Sequence, residues 1–299
     1  MKKGLYENMN INEVQIRDPF VVSHNGKYYL YGSTDTDIWV EKGQGFNAYV
    51  SEDLNDWDGP FQVFIPPENY WGTRNFWAPE VHIYNGEFYM FASFIGDGYN
   101  RGTAVLKSAN PLGPFLPWSE KAVTPAGHMC LDGTLYVDKN KQPWLVYCHE
   151  WVQIGDGAIC ALKLSSNLKS AVGEPINLFM SSSAPWGKTV FSKSNNIEGY
   201  VTDGCFLHRT KSGKLLMLWS NFTENGYCQC YAKSKSGEID GEWEQADILF
   251  DNDGGHGMLF RDFNGKLILT LHTPNKTPNE RVIFLEVEET EKGIKIIDK

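Results

Sequence analysis

The fold is decided by the segment Asp18–Thr34, which reads DPFVVSHNGKYYLYGST. A short apolar run leads into Asn25-Gly26, and a second run rich in tyrosine follows. Asn-Gly between two apolar runs is a strong signal for a β-hairpin, because both residues tolerate the positive φ angles of a tight turn. The segment therefore predicts two antiparallel strands.

The same hairpin pattern returns further along the chain, in copies that begin at Ala78, Asp132, Asp203 and Gly255. Their turns stand roughly 50–70 residues apart, a period typical of four-stranded β-propeller blades. Weaker apolar segments between the hairpins fit the third and fourth strands. A β-sandwich or jelly roll also has many short strands, but it would not explain five copies of one hairpin. We therefore predict an all-β, single-domain five-bladed β-propeller over residues 1–299.

Composition and charge narrow the class of protein. Aromatic residues make up 14% of the chain, which excludes disorder and coiled coils, and no apolar run approaches the roughly 20 residues of a membrane span. The net charge of −10 argues against binding to nucleic acid or an anionic membrane. The six cysteines lack CxxC spacing, so we expect buried reduced thiols.

The N-terminus lacks the apolar core of a signal peptide. This predicts a cytoplasmic protein, or a secreted one whose signal peptide has been removed. We also expect a monomer.

Three aspartates mark the starts of inner strands in three blades: Asp18, Asp132 and Asp203. Inner strands surround one axis in a propeller, so these carboxylates should meet at one mouth of the channel. Neighbouring like charges raise a pKa, an arrangement suited to general acid–base chemistry. The alternative is that each Asp beside Gly or Pro serves ordinary turn chemistry.

Five short motifs, one per blade, together carry a family resemblance. They are Arg17-Asp18-Pro19-Phe20, Phe76–Val81 (FWAPEV), Leu131-Asp132-Gly133, Thr202-Asp203-Gly204 and Gly255-His256-Gly257. In this order they make the sequence resemble glycoside hydrolase family 43, five-bladed propeller glycosidases that act on arabinose- and xylose-containing polysaccharides. The resemblance implies inverting hydrolysis of α-L-arabinofuranosyl or β-D-xylosyl linkages, with an arabinose- or xylose-containing oligosaccharide as the partner.

The resemblance also assigns catalytic roles. Asp18 would be the general base that activates water, and Asp132 would tune and orient the acid. The family's acid is usually a Glu, whereas this chain has Asp203, which is one methylene shorter. Glu150 is an alternative acid, because it ends the second strand of blade three on the face that carries Asp132. Its own alternative role is to hold the Gln153–Gly157 loop. The matching position favours Asp203.

Further side chains are expected around these carboxylates. By the resemblance, His256 helps hold one structural Ca²⁺ or Na⁺ in the central channel, largely through water; a core histidine bonded to backbone is the alternative. No organic cofactor is expected. Aromatic faces can stack on a pentose ring, and mouth-side polar groups can bind its hydroxyls. The predicted substrate-binding residues are Phe76, Trp77, Trp151, Glu80 and Arg74.

The long loops Thr34–Phe46 and Ser181–Gly199 suggest a pocket, which favours exo action. Because of the Asp203 departure, a non-catalytic carbohydrate-binding propeller is the alternative. A scaffold for protein partners would not need the three carboxylates.

Overall fold

A computed structural model describes residues 7–35, 37–39 and 42–297. In it, the chain forms a five-bladed β-propeller, as the repeats predict. Five antiparallel sheets follow one another along the sequence. The innermost strand of each contacts the innermost strands of both neighbouring sheets, which closes them into a ring.

The strands of the first two blades run in chain order from the centre outwards, apart from the N-terminal strand, which pairs with the outermost strand of blade one. Blade one contains β1 (Glu7–Asn10), β2 (Arg17–His24), β3 (Lys27–Ser33), β4 (Phe46–Ser51) and β5 (Asp56–Phe64), with a 3₁₀ turn at Ile11–Glu13. Blade two contains β6 (Arg74–Tyr84), β7 (Glu87–Gly96), β8 (Tyr99–Ser108) and β9 (Leu116–Pro117).

Blade three and the segment after it carry two additions to the propeller plan, a short helix and an extra hairpin. Blade three contains β10 (Cys130–Val137), β11 (Pro143–His149), helix α1 (Trp151–Ile154), β12 (Ala158–Leu164) and β13 (Ala171–Met180). A 3₁₀ turn (Ser181–Ser183) then leads to a separate two-stranded sheet of β14 (Thr189–Ser192) and β15 (Ile197–Tyr200).

The last two blades return to the four-stranded plan. Blade four contains β16 (Asp203–Arg209), β17 (Leu215–Thr223), β18 (Gly226–Ser234) and β19 (Trp243–Gln245). Blade five contains β20 (Gly255–Arg261), β21 (Leu267–Thr273), β22 (Arg281–Thr290) and β23 (Gly293–Ile296).

The turns between the first two strands of each blade adopt the left-handed backbone that their sequences predict. The four turn glycines, Gly26, Gly86, Gly213 and Gly265, have φ between 77° and 88°. In blade three, which lacks a glycine there, Lys141 takes the position with φ of 64°. The hairpin prediction is confirmed in every blade.

Apolar side chains fill the interfaces between blades. One cluster joins blade one to blades two and five, and three further clusters occupy the interfaces two–three, three–four and four–five. Trp57 and Trp219 are among the fully buried side chains. A fully buried Phe or Leu contributes about 1.5–3 kcal/mol, so these interfaces hold the ring together.

Blades five and one meet through side-chain and backbone bonds. Ser23 Oγ donates to the carbonyl of Arg261 at 2.9 Å, and the Phe263 amide donates to the Tyr28 hydroxyl at 3.0 Å. Gln15 forms an isolated β-bridge with Arg281. These contacts close the ring between the first and last blades.

The six cysteines are all buried and unpaired, as expected. None of the helices in the described residues is both long and apolar enough to cross a membrane.

Candidate active site

Each inner strand starts with a β-bulge at the same mouth of the channel. In each blade the register shifts just after a residue that pairs with the second strand; these residues are Arg17, Trp77, Leu131, Asp203 and Gly255. Blade two has a further shift between Arg74 and Trp77. The residue that follows each of these five paired residues has positive φ; these following residues are Asp18 (54°), Ala78 (44°), Asp132 (54°), Gly204 (56°) and His256 (51°). Such conformations are strained for non-glycine residues and concentrate at functional sites.

The neighbouring blade supports these strained residues. The amides of Ala78, Asp132 and His256 donate to Ser33, Ser93 and Ser220, each on the second strand of the preceding blade, at 2.7–2.9 Å. At the ring closure the Asp18 amide donates to His272 Nδ1 at 3.2 Å. Hydrogen bonds between neighbouring blades thus hold the bulges in place.

Blade four departs from this scheme. Its bulge residue is Gly204, and the Gly204 amide donates to Asp132 Oδ2 at 2.9 Å. Asp203 stands one residue earlier, directly opposite Ser220. The expectation that Asp203 matches Asp18 and Asp132 in the repeat is therefore wrong by one residue. The equivalent of Asp18 in blade five is His256.

The three aspartates nevertheless line one cavity of about 560 Å³ at this mouth. Its polar and charged lining includes Arg17, Asn75, Arg101, Glu150 and His256, and its aromatic lining comprises Trp39, Trp77, Trp151 and Tyr227. Ser192, Ser194 and Asn195, from the hairpin of β14 and β15, add a further wall. The predicted convergence of Asp18, Asp132, Asp203 and Glu150 is present in the structure.

Asp18 is held in its ionised form. Burial alone would raise its pKa, but interactions with His256, Arg17, His272 and the Ser33 hydroxyl together lower it to about 2. Ser33 Oγ donates to Asp18 Oδ2 at 2.6 Å, and His256 Nδ1 lies 3.2 Å from Oδ1. The carboxylate is therefore ready to accept a proton.

His272 supports Asp18 as a neutral imidazole. Burial and the charge of Arg17 lower the pKa of His272 to about 3. Because its Nδ1 accepts a hydrogen bond from the Asp18 amide, the ring proton stands on Nε2.

The pKa values of Asp132 and Asp203 are raised, whereas that of Asp18 is lowered. Burial and the charge of Asp18 raise the pKa of Asp132 well above its usual range. Burial and the charge of Asp132 raise the pKa of Asp203 to about 7. The Tyr227 hydroxyl donates to Asp203 Oδ2 at 3.2 Å. Asp203 can thus carry a proton near neutral pH, as a general acid must.

Glu150 is buried in the same cavity and is ion-paired with Arg101. Arg101 also donates to Asn75 Oδ1 at 3.2 Å, and its guanidinium lies 4.2 Å from the Trp77 ring centroid. Arg101 therefore ties Glu150 to blade two, a geometry that suits a positioning role.

Two tryptophans form an aromatic corner of the cavity. Trp39 and Trp77 meet edge to face with centroids 5.4 Å apart. The Asn75 amide donates to the Trp39 carbonyl at 2.9 Å. Arg17 lies 5.2 Å from the Trp39 ring and donates to buried Glu280 at 2.7 Å. These contacts leave Trp39 half exposed and available for stacking.

Three of the predicted substrate-binding residues lie outside the cavity lining. Adjacent residues on a strand point to opposite sides, and while Trp77 faces the cavity, Phe76 is 1% exposed in the core against Phe94. Arg74 is exposed and pairs with Asp97 at 3.3 Å. Buried Glu80 bonds His82 at 3.0 Å and acts on the site through its charge, which contributes to raising the pKa of Asp132. Trp77 and Trp151 line the cavity as predicted.

His256 points at carboxylates. Its Nδ1 lies 3.2 Å from Asp18 and 3.6 Å from Asp132. Among the described residues, no three His, Cys, Asp or Glu side chains are grouped to hold a metal. The side chains present therefore do not form a calcium shell of their own, since calcium takes six to eight oxygen ligands. The predicted ion, held largely by water, stays a prediction.

The sequence analysis assigned no role to four residues that contribute to the site: Arg17, Asn75, Tyr227 and His272. Arg17 is adjacent to Asp18, and a cation beside a candidate base was a usable signal. Tyr227 reaches the site from the third strand of blade four, and His272 from the second strand of blade five. Their contribution depends on strand register, which composition does not reveal.

Comparison with known proteins relates this geometry to a family. The family model for glycosyl hydrolases family 43 matches residues 9–293. The crystal structure of an endo-arabinase from Bacteroides thetaiotaomicron VPI-5482 superposes with a TM-score of 0.88 at 38% identity, covering 95% of this chain and 98% of that one.

Curated relatives are more distant. An extracellular endo-alpha-(1->5)-L-arabinanase 1 of Bacillus subtilis (strain 168) is 22% identical over 54% of this chain and 52% of its own length. A xylosidase/arabinosidase 43A of Humicola insolens is 27% identical over 47% of this chain and 46% of its own. The chain thus spans about half the length of the curated relatives it matches.

Proposed function

The chain belongs to glycosyl hydrolase family 43, and we propose that it hydrolyses α-L-arabinofuranosyl linkages in arabinan-type chains with inversion of configuration. The observation that carries this proposal is the opposed protonation of two carboxyls in one cavity. The pKa of Asp18 is lowered to about 2 and that of Asp203 is raised to about 7. One base and one acid facing the same space are what inverting glycoside hydrolysis requires.

In the proposed reaction, Asp18 takes a proton from water as the water attacks the anomeric carbon. Asp203 gives its proton to the leaving oxygen. The transition state carries positive charge on the sugar, which the surrounding carboxylates stabilise electrostatically. Asp132, bonded to the Gly204 amide, holds the strand that bears the acid and raises its pKa by charge.

The preference for arabinose over xylose rests on the similarity of this chain to known proteins. The relative that matches nearly the whole chain at 38% identity is named an endo-arabinase. The xylosidase/arabinosidase match covers about half of the chain. β-D-Xylosyl linkages are the second candidate substrate.

The shape of the cavity bears on whether the enzyme cleaves terminal linkages (exo) or internal linkages (endo). Ser192, Ser194 and Asn195 of the β14–β15 hairpin stand on one side of it. A wall of this kind favours removal of terminal sugars, as the long loops suggest, whereas the name of the 38% relative favours internal cleavage. We propose exo action, and product analysis separates the two modes.

A substrate panel tests the proposal. Nitrophenyl α-L-arabinofuranoside and β-D-xylopyranoside, with α-1,5-arabino- and β-1,4-xylo-oligosaccharides, should show highest kcat/KM on an arabinosyl substrate. Proton NMR at early times should show the inverted anomer. Release of single arabinose units indicates exo action, and release of mixed oligosaccharides indicates endo action.

Three results would contradict parts of this proposal. A higher kcat/KM on xylosides would overturn the sugar. Appearance of the retained anomer would overturn the mechanism. Binding of oligosaccharides without turnover by the native protein would favour the non-catalytic propeller, and the Asp18→Asn variant supplies the zero-rate baseline.

A further inference from the structure

A second cavity of about 660 Å³ opens on the rim of blade two. We call it the rim cavity; its main side chains are Trp71, Tyr99, Asn100, Arg101, Lys121 and His128. They come from the segment before β6, from the start of β8 and from the connection between β9 and β10. It matches the catalytic cavity in size and has no part in the reaction described above.

The chemistry of the rim cavity differs from that of the catalytic cavity. Among the described residues that line it there is no carboxylate. Tyr99 is 43% exposed and meets the Trp71 ring at 5.8 Å in an edge-on arrangement. Lys121 Nζ lies 4.8 Å from the Tyr99 ring. An exposed aromatic ring with nearby donors suits an uncharged hydroxylated ring.

The two cavities are neighbours. Arg101 lines both, and consecutive residues of one loop divide between them, with His128 on the rim cavity and Met129 on the catalytic cavity. The two cavities therefore lie on either side of Arg101.

The wall between the cavities is held in place. Gln153 of helix α1 donates to the Gly127 carbonyl at 3.0 Å and accepts from the Met129 amide at 2.7 Å. His128 stacks on His149 with centroids 4.0 Å apart, and its Nδ1 has no hydrogen-bond partner within the described residues. The wall is therefore fixed before any ligand binds, as a preformed site requires.

From this juxtaposition we propose that the rim cavity is a second sugar-binding subsite, which holds a neutral pentosyl unit of the same oligosaccharide away from the scissile bond. The inference rests on the proposed function, because it takes its ligand from that substrate. Stacking on Tyr99 supplies affinity, and Asn100 and Lys121 supply polar contacts.

Chain-length dependence tests the inference. We expect Tyr99→Ala to lower kcat/KM by less than twofold on a nitrophenyl pentoside and by about tenfold on a penta- or hexasaccharide, mainly through KM. Tyr99→Phe keeps the ring and should restore the native profile. Phe263→Ala, at a similarly exposed aromatic in the β20–β21 turn, is the control and should behave as the native protein at every length.

Each other outcome has a distinct meaning. Equal ratios of native to Tyr99→Ala rates at all lengths, whether near one or large, overturn the subsite while the native enzyme still turns over its substrates. If the native protein prefers xylo-oligosaccharides, the same ratio is measured on that series. Absence of turnover and of binding on both series overturns the proposed function and this inference with it.

Discussion

Asp18 and Asp203 line the same cavity, yet their surroundings drive their pKa values about five pH units apart. Burial acts on both and would raise both. Asp18 has Arg17 and two imidazoles beside it and a hydroxyl donor bonded to it, so its charge is compensated. Asp203 faces Asp132 and has one phenol donor. Partners, and not depth, separate a base from an acid here.

The difference originates in one residue of register. Asp18 occupies the bulge position, where positive φ and the preceding blade's His272 place it beside the seam. In blade four a glycine takes the bulge, and Asp203 falls one residue earlier, opposite Ser220. The starts of the inner strands of blades one and four thus place Asp18 and Asp203 among different neighbours.

Of the changes that test the contrast between Asp18 and Asp203, removing the charge of Asp18 should have the largest effect on kcat. Asp18→Asn should lower kcat by about 10³-fold or more, because the amide cannot take a proton from water. Initial rates on an arabino-oligosaccharide measure the loss, and calorimetric titration should show that the sugar still binds.

Asp97→Asn is the matched control for that experiment. Asp97 is exposed, pairs with Arg74 and stands outside the cavity, so this change should leave kcat unaffected. A variant Asp18→Asn that retained near-native turnover would show that another group acts as the base.

The next largest effect should separate Asp203 from Glu150. Asp203→Asn should cost about 10²–10³-fold in kcat on an oligosaccharide, whose leaving group needs a proton, and much less on a nitrophenyl glycoside. Glu150→Gln should give similar losses on both, because it acts through Arg101. The ratio of rates on the two substrates for each variant is the measurement.

Glu150→Gln also serves as a test of packing. Removing one charge from a buried pair costs about 3–5 kcal/mol of stability, so its thermal midpoint should fall well below that of Asp203→Asn. If the leaving-group dependence appears in Glu150→Gln and not in Asp203→Asn, the acid assignments are reversed.

The propeller could be predicted from the sequence because its evidence is repeated. A hairpin with turn glycine and aromatic strand recurs, and each copy supports the others. The convergence of Asp18 and Asp132 follows from the same repeat. These features depend on periodicity, which a single sequence displays directly.

The finer parts of the site depend on register and on contacts between blades. Sequence spacing could not show that the bulge in blade four falls on Gly204, one residue after Asp203. Nor could it show that Phe76 turns into the core while its neighbour Trp77 lines the cavity. The pairing of Arg101 with Glu150 joins residues from two blades, and nothing local signals it.

The smallest expected effect is a shift in the pKa of Asp203 when the Tyr227 hydroxyl is removed. The Tyr227 hydroxyl bond favours the ionised carboxyl and so lowers its pKa. Tyr227→Phe removes that bond and should raise the pKa. Since the acid must hold its proton, we expect kcat/KM of the native enzyme to fall as pH rises through about 7. In the variant this limb should move to higher pH by about one unit or less. Tyr231→Phe, on the same strand, should leave the limb in place, and a shift to lower pH in Tyr227→Phe would contradict the assignment of Asp203 as the acid.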